Sequence, residues 1–408
     1  MSGHAFDIAG QDHCPFMPVF GPPARMIVKG AGTEVWDSEG RRLLDFLSGI
    51  AVVSLGHANE KVAEAISQQA RTLVHVSNFF ANPVATEAAQ RINDLLAAAT
   101  GHRGQVFFTN SGAEANECAI KLARRHGGRG RHTVVSALGS FHGRTLATLA
   151  ATGQPSKHEP FQPMPEGFRH VAWGDLEAMT AAVDASVAAV LIEPIQGEGG
   201  VQPAPAGYLE GIRALCDATG ALLIVDEVQT GFARTGRWFG FEHAGVSPDV
   251  VTMAKGMGNG MPIGACWARS EIARSFSPGD HGSTFSGTAL ATSAVLAVIE
   301  EMERLAAPGL AVSGGERVRA SLSGRRGIDG VRGSGLLLGV ELAAGVVAAE
   351  VAAACLESGL IVNAVNPSTI RLAPPLTVSD AEIDEAMEIL AGVVAALVHD
   401  GSSEGVDR

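Results

Sequence analysis

Ser247-Pro248-Asp249-Val250-Val251-Thr252-Met253-Ala254-Lys255-Gly256-Met257-Gly258-Asn259-Gly260-Met261-Pro262-Ile263-Gly264-Ala265 is the stretch from which the rest of the chain is read. Val250 to Met253 is apolar, β-branched and bounded by Pro248 and Gly256, the pattern of a short buried strand. Lys255 follows at once. In an open parallel sheet, ligands bind outside the carboxyl ends of the strands. An amine placed there, among glycines and apolar residues, is poorly solvated. Desolvation lowers its pKa and frees it to attack a carbonyl. Taken alone, Lys255 also reads as an ordinary loop lysine, so its neighbours in the fold decide.

Outward from this stretch, short apolar strands alternate with helical patterns. Strands are expected at 105–108, 133–136, 188–192, 221–225 and 250–253, with helices running to Arg125 and near 144–151. Such alternation predicts an α/β fold whose mostly parallel central sheet is covered by helices on both faces. Before it, residues 1–23 carry Pro15, Pro18, Pro22 and Pro23 and read as an irregular arm. Residues 25–46 suggest short strands turning at Ser38-Glu39-Gly40, and 60–73 and 85–98 have helical spacing. After it, 287–305 reads as a long helix leading to a C-terminal unit. That unit shows strands at 336–342, 360–365 and 370–372 and helices at 346–358 and 379–397. The expected division is an N-terminal arm and part of a small domain (1–60), a large domain (61–305) and a C-terminal small domain (306–408).

The chain has 408 residues, 46% hydrophobic and 18% charged, with a net charge of -13 and no basic stripe, which argues against nucleic-acid binding. Cys14, Cys118, Cys216, Cys266 and Cys355 are scattered and odd in number, as expected of reduced thiols in a cytoplasm. No HExxH or Cys/His cluster suggests a metal site. No basic segment precedes an apolar one at the N-terminus, and the apolar run 389–398 is too short to span a bilayer. A cytoplasmic protein without a membrane role is expected.

Four further stretches carry chemistry. Asn110-Ser111-Gly112-Ala113-Glu114 follows a strand and opens a helix. Ser111 and Glu114 make a capping box, and Gly112 and Ala113 leave the helix amides open to an anion such as phosphate. A well-capped helix that binds nothing has the same pattern. Asp226 ends a buried strand, where a carboxylate needs a cation or strong donor, and Gln229 lies about a turn further on. In Ser140-Phe141-His142-Gly143-Arg144, Phe141 offers a flat face and Arg144 a carboxylate fork. Glu198, among glycines, and Arg371, in the C-terminal unit, add an acid and a second fork. An amine, an anion-binding helix end, a buried aspartate and a stacking ring together meet the needs of pyridoxal phosphate.

These motifs make the chain recognisable. NSGAEANE at 110–117, SFHGRTLATLAATG at 140–153, EPIQGEGGV at 193–201, LLIVDEVQTGFARTG at 222–236 and the lysine stretch resemble the class III, fold type I aminotransferases, and within them most closely the acetylornithine aminotransferase group. The resemblance runs from Val28 to Val393. It implies a pyridoxal 5′-phosphate enzyme with a smaller α+β domain built from both chain ends. Lys255 would form the Schiff base and move the proton, Asp226 pair with the ring nitrogen, Gln229 bond the ring oxygen, Phe141 stack, and Gly112 and Ala113 hold the phosphate. Thr284 would reach the phosphate of the other subunit of a homodimer. Arg144 and Ser283 would bind the acylated amino donor, and Arg371 a carboxylate of glutamate, with Glu198 covering it when a diamine is bound.

The implied reaction moves the δ-amine of N2-acetylornithine to 2-oxoglutarate, a step of arginine biosynthesis. Succinylornithine, succinyl-diaminopimelate, ornithine or 4-aminobutyrate are alternative donors; an aminomutase or racemase, or a non-catalytic cofactor-binding protein, are alternative roles. Two departures stand out. Where the family commonly reads Gly-Gly-Asn-Pro, this chain has Ser286-Gly287-Thr288-Ala289. And where ornithine aminotransferases use tyrosines, it has Ser77-Asn78-Phe79-Phe80, with Tyr208 its only tyrosine. Without those hydroxyls a charged α-amine loses its partners, which favours an acylated substrate.

Overall fold

Strands that are apolar along their length have no face to give to water, so they pack side by side in the interior. The computed structural model describes residues 16–398. In it, seven strands form the central sheet: β1 (Gly104–Thr109), β2 (Thr133–Ala137), β3 (Phe168–Val171), β4 (Val187–Ile192), β5 (Leu222–Asp226), β6 (Val250–Met253) and β7 (Gly264–Arg269). Their spatial order is β1-β7-β6-β5-β4-β2-β3. β7 runs antiparallel to both neighbours, and the remaining pairs are parallel. The mostly parallel sheet is therefore as expected, but β3 and β7 are additions to it. β3 reads Phe168-Arg169-His170-Val171 and β7 starts Gly264-Ala265-Cys266, so neither shows the run of adjacent Val, Ile, Leu or Phe that marks the others. The pattern likewise does not single out the helices Leu176–Ala182, Tyr208–Thr219 and Ala307–Leu322.

Strands Ile27–Ala31, Glu34–Asp37 and Arg42–Asp45 form a meander whose last strand pairs in parallel with Leu360–Ile361. A second sheet joins Ile328–Ser334, Leu337–Leu342, Thr369–Leu372 and Asn363–Asn366. Leu44 and Phe46 share a core with Leu338, Val340, Ile370, Ile383 and Leu390, so the smaller α+β unit is made from both ends of the described chain. The helix Ala289–Arg304 buries its apolar face against helices Glu60–Thr72 and Pro83–Thr100, on the core of the large unit. Arg234 joins the two units: wholly buried, it donates to the carbonyls of Leu336 and Pro374 and to the Ser54 hydroxyl at 3.1, 2.5 and 3.2 Å.

Residues 1–15 of the N-terminal arm, Cys14 among them, lie outside the described residues. Cys118, Cys216, Cys266 and Cys355 are free and buried. Among the described residues no helix is long and apolar enough to cross a membrane.

One glycine fixes the loop after β2. Gly153 accepts the Gly139 N–H at 2.8 Å and donates to Ser140 Oγ at 3.0 Å. A Cβ at this position would lie 2.0 Å from the carbonyl oxygen of Ala137, a backbone atom with nowhere to go. Gly153→Ala should therefore lower stability by about 3 kcal/mol through overpacking. Urea unfolding checks this; a change below about 0.5 kcal/mol would contradict the close approach.

Candidate active site

β6 ends one residue short of the lysine, and the chain then turns sharply. Lys255 takes φ +48°, in the left-handed region that side chains seldom adopt and that costs on the order of 1–2 kcal/mol. The turn Lys255–Met257 is closed by Met257 N–H to Ala254 O and Gly258 N–H to Lys255 O, both 3.0 Å. Asn259, also left-handed, ties the segment to the loop before the helix Glu60–Thr72 through Leu55 N–H (2.8 Å) and Gly56 O (3.2 Å). The strain is spent on aim: the amine is held on the wall of a cavity of about 390 Å³. Burial, and then the charge of Arg371, push its pKa down to about 8.

Asp226 closes β5 beside it, 4% exposed. Its carboxylate is tightly held. Oδ2 accepts from Asn116 Nδ2 and from His142 Nδ1, both at 2.8 Å, and Oδ1 from the Val228 N–H at 3.0 Å. Since a carboxylate accepts, Nδ1 of His142 carries the proton. Asn116 is oriented in turn by Thr252 Oγ1, which donates to its Oδ1 at 2.7 Å, and by its own donation to His142 O at 2.8 Å. Thr252 pairs with Asp226 in the β5–β6 register, so the sheet itself sets this network.

The helix Gly112–Gly127 points its N-terminus at the same space, with Gly112 and Ala113 on the cavity wall. A Cβ on Gly112 would lie 2.8 Å from both Val228 methyls, so only glycine lets this helix end approach the strand-end loop. Ser111 Oγ accepts the Glu114 N–H at 3.2 Å, half of the expected capping box. The other half differs. Glu114 Oε2 reaches past the cap to the Asn110 N–H (2.7 Å) and Asn110 Nδ2 (2.9 Å). Asn110 is thereby aimed at Ser283, donating to its Oγ at 3.1 Å, while Asn78 donates to Ser283 O at 2.9 Å.

The departure at Ser286-Gly287-Thr288-Ala289 makes a sound structure. Ser286 N–H closes a turn on Ser283 O, Gly287 takes φ +67°, and Thr288 caps the helix Ala289–Arg304 through Ala291 N–H.

Phe141 faces the cavity from the loop after β2, its N–H held by Glu193 Oε2 at 3.1 Å. Glu193 also accepts the Gly197 N–H at 3.4 Å; burial, with some contribution from Asp226, raises its pKa to about 7. Arg144 Cζ and Lys157 Nζ both sit over the Phe141 ring, 5.6 and 5.5 Å from its centre. Arg371, on strand Thr369–Leu372 and 1% exposed, donates to Glu198 Oε1 at 2.6 Å, to Asn363 Oδ1 at 2.8 Å and to Gln229 Oε1 at 3.4 Å. Burial works to raise the Glu198 pKa, but the Arg371 charge and hydrogen bond outweigh it and leave it below the usual value.

Lys255, Asp226, Glu198, Gly112, Ala113, Phe141, Gln229 and Arg144 thus line one cavity. Arg371 stands behind Glu198 rather than on the wall. Ser283 touches the wall through Asn110, and Thr284 lies on an exposed turn. Residues 77–80 are outside the lining, Phe79 and Phe80 being 91% and 68% exposed. Tyr208 is buried against Trp173, so no tyrosine hydroxyl enters the site. Asn116, His142, Glu193, Asn363 and Lys157 carry no separate signal in the sequence reading. The donor set fits pyridoxal 5′-phosphate: an amine of lowered pKa, a fixed carboxylate for a ring nitrogen, a flat ring, and helix amides for a phosphate.

Comparison with known proteins agrees with this chemistry. The family model for class-III aminotransferases matches residues 19–394. The acetylornithine aminotransferase of Corynebacterium efficiens is 47% identical, over 93% of this chain and 94% of that protein. Its counterpart in Mycobacterium tuberculosis is 46% identical, over 93% and 92%. Among solved structures, an (S)-enantioselective omega-transaminase from Thermomicrobium roseum superposes with a TM-score of 0.90 at 31% identity, covering 98% of this chain and all of that one. N-acetylornithine aminotransferase from Stenotrophomonas maltophilia gives 0.81 at 32% identity, covering 93% and 97%.

The lowered pKa of Lys255 has a direct readout. In cofactor-free protein, its acylation rate should rise with the neutral amine, with a midpoint near pH 8. Glu198→Gln removes a negative charge that holds this pKa up, so the midpoint should fall further. Peptide mass spectrometry across pH measures both; a midpoint at the ordinary lysine value would contradict the burial argument.

Proposed function

This chain belongs to the class III aminotransferases, and on that premise we propose that it moves the δ-amine of N2-acetylornithine to 2-oxoglutarate, giving N-acetylglutamate 5-semialdehyde and glutamate, in arginine biosynthesis in the cytoplasm. It is an aminotransferase and its cofactor is pyridoxal 5′-phosphate. The cofactor, when bound, supplies a carbonyl for the incoming amine and an electron sink for the bond broken at the substrate carbon.

The protein does the rest. Gly112 and Ala113 would hold its phosphate with their amides, Phe141 would cover its ring face, Gln229 would bond the ring oxygen, and the Asp226 carboxylate would keep the ring nitrogen protonated. Lys255, its pKa lowered by burial, would take the proton from the amine-bearing carbon of the donor and pass it to the cofactor, and would run the transfer in reverse with 2-oxoglutarate. Arg371 binds a carboxylate of glutamate or 2-oxoglutarate once Glu198 turns away, and Glu198 neutralises it when the diamine-derived donor occupies the site. The same cleft thus accepts a dianion and an amine in turn.

One observation carries the choice of donor. At the outer end of the cavity Arg144 has no hydrogen-bonded or ion-paired partner among the described residues, and no tyrosine hydroxyl stands near it to receive a free ammonium. A carboxylate beside a neutral acylated amine matches this end; a zwitterion does not. The curated relatives support the same donor.

A second copy of the chain completes the site in this reading. Phe79, Phe80 and Phe285 are 91%, 68% and 57% exposed around Ser283 and Thr284, an apolar surface that a partner would cover. Thr284 would then reach the phosphate in the partner's cavity. Light scattering should give a dimer mass, and Phe285→Asp should shift it towards monomer with loss of bound cofactor.

The purified enzyme should be assayed with 2-oxoglutarate against acetylornithine, succinylornithine, ornithine and 4-aminobutyrate. The specificity constant should be highest for acetylornithine; a higher value for ornithine would overturn the donor assignment. Arg144→Ala should raise the KM for the acylated donor by about thirtyfold, the scale of a lost charge-assisted pair, with the cofactor absorbance retained. An unchanged KM would remove Arg144 from the binding site.

A further inference from the structure

Glu198 sits in the turn formed by residues 197–200, and both ends of that turn are pinned. At the first end, Gly197 donates to Glu193 and lies so close under Gln229 that a Cβ would stand 2.1 Å from Oε1. At the far end, Gly200 takes φ +102° and Val201 takes φ +51°. Val201 is β-branched, wholly buried and in the left-handed region, a conformation that bulky residues avoid. Something must hold it there.

The holder is Arg332, on strand Ile328–Ser334. Its Nε donates to Gly200 O at 2.9 Å and to Val201 O at 3.1 Å, and its Nη2 donates to Gly200 O at 2.6 Å. The same Nη2 bonds Thr369 Oγ1 at 2.9 Å, and Nη1 is fixed by Glu341. Thr369 begins the strand that carries Arg371. One guanidinium thus ties the strained end of the Glu198 turn to the strand bearing the partner of Glu198.

We propose that Arg332 is a positioning residue for the Glu198–Arg371 ion pair: its grip on the Gly200 and Val201 carbonyls keeps a strained turn in the shape that sets Glu198 on Arg371, and so sets how the site divides its affinity between the amine donor and the dicarboxylate. The inference rests on the alternating use of Arg371 proposed above. Released from the clamp, Val201 relaxes out of the left-handed region and draws Glu198 off Arg371. The freed guanidinium then binds 2-oxoglutarate more tightly, while the amine donor meets an uncompensated charge.

Arg332→Met should lower the KM for 2-oxoglutarate and raise that for the amine donor, each by about fivefold, with the affinity for glutarate, a non-reacting dicarboxylate, rising in calorimetry. General loosening of the fold would raise both KM values, so movement in the same direction, or none, overturns the proposal. Arg332→Lys, which keeps one donor near Gly200 O, should restore part of the wild-type ratio. Val201→Gly has no strain to release, so adding Arg332→Met to it should change the ratio by less than about twofold; an undiminished effect would count against the strained turn. Glu198→Gln, measured alongside, separates the two levels. If it too leaves the ratio unmoved, the alternating use of Arg371 is at fault. If it shifts the ratio and Arg332→Met does not, only the role of Arg332 falls.

Discussion

The site depends on a carboxylate that the fold buries and then satisfies. Asp226 ends the middle strand of the large sheet, where an unpaired charge would be costly. Three donors answer it: a helix asparagine, a loop histidine and the backbone of its own turn. Each donor belongs to a different element, and each is placed by sheet register or helix packing. The consequence is a negative charge that faces the cavity without freedom to rotate. Around it the other parts can be simple: an amine, a flat ring, a helix end.

A second theme is the use of backbone strain next to that rigid charge. Lys255, Asn259 and Val201 all hold left-handed conformations within the segments that shape the cavity. Lys255 is kept there by the local bonds that close its turn, and Asn259 and Val201 by hydrogen bonds with residues remote in the chain. Such a conformation survives only where its surroundings over-determine it, and here they do so at the turns that aim the reactive amine and the acid covering Arg371.

Much of this was legible in the residues, for a physical reason. Apolar runs mark strands, and in a parallel sheet the residue after a strand lies on the ligand side; this singles out Lys255, Asp226 and Phe141. Gly112 and Ala113 are legible because a helix start after a strand has a single geometry. Asn116 was not, because its partners Thr252, His142 and Asp226 become neighbours only when β5 and β6 pair. Glu193 reads as a strand-end acid, and nothing local says that it holds two loops together. β7 escapes the pattern because Gly264 and Ala265 are poor strand formers chosen for closeness: a Cβ on Gly264 would stand 2.5 Å from the Ser111 carbonyl. The capping box shows the same limit, since Glu114 found a better partner in Asn110 than in its own cap.

The antiparallel strand β7 has a consequence for how the molecule is made. It pairs with β1, whose residues are far earlier in the chain, and it is also the strand into which the lysine segment leads. Closing that pair brings together strands far apart in the chain, the kind of non-local contact that slows folding. Until it closes, the lysine segment lacks one of its two anchors and the helix N-terminus has no wall opposite. A ligand that binds only the closed form stabilises that pairing by mass action, so bound cofactor acts as a latch on it.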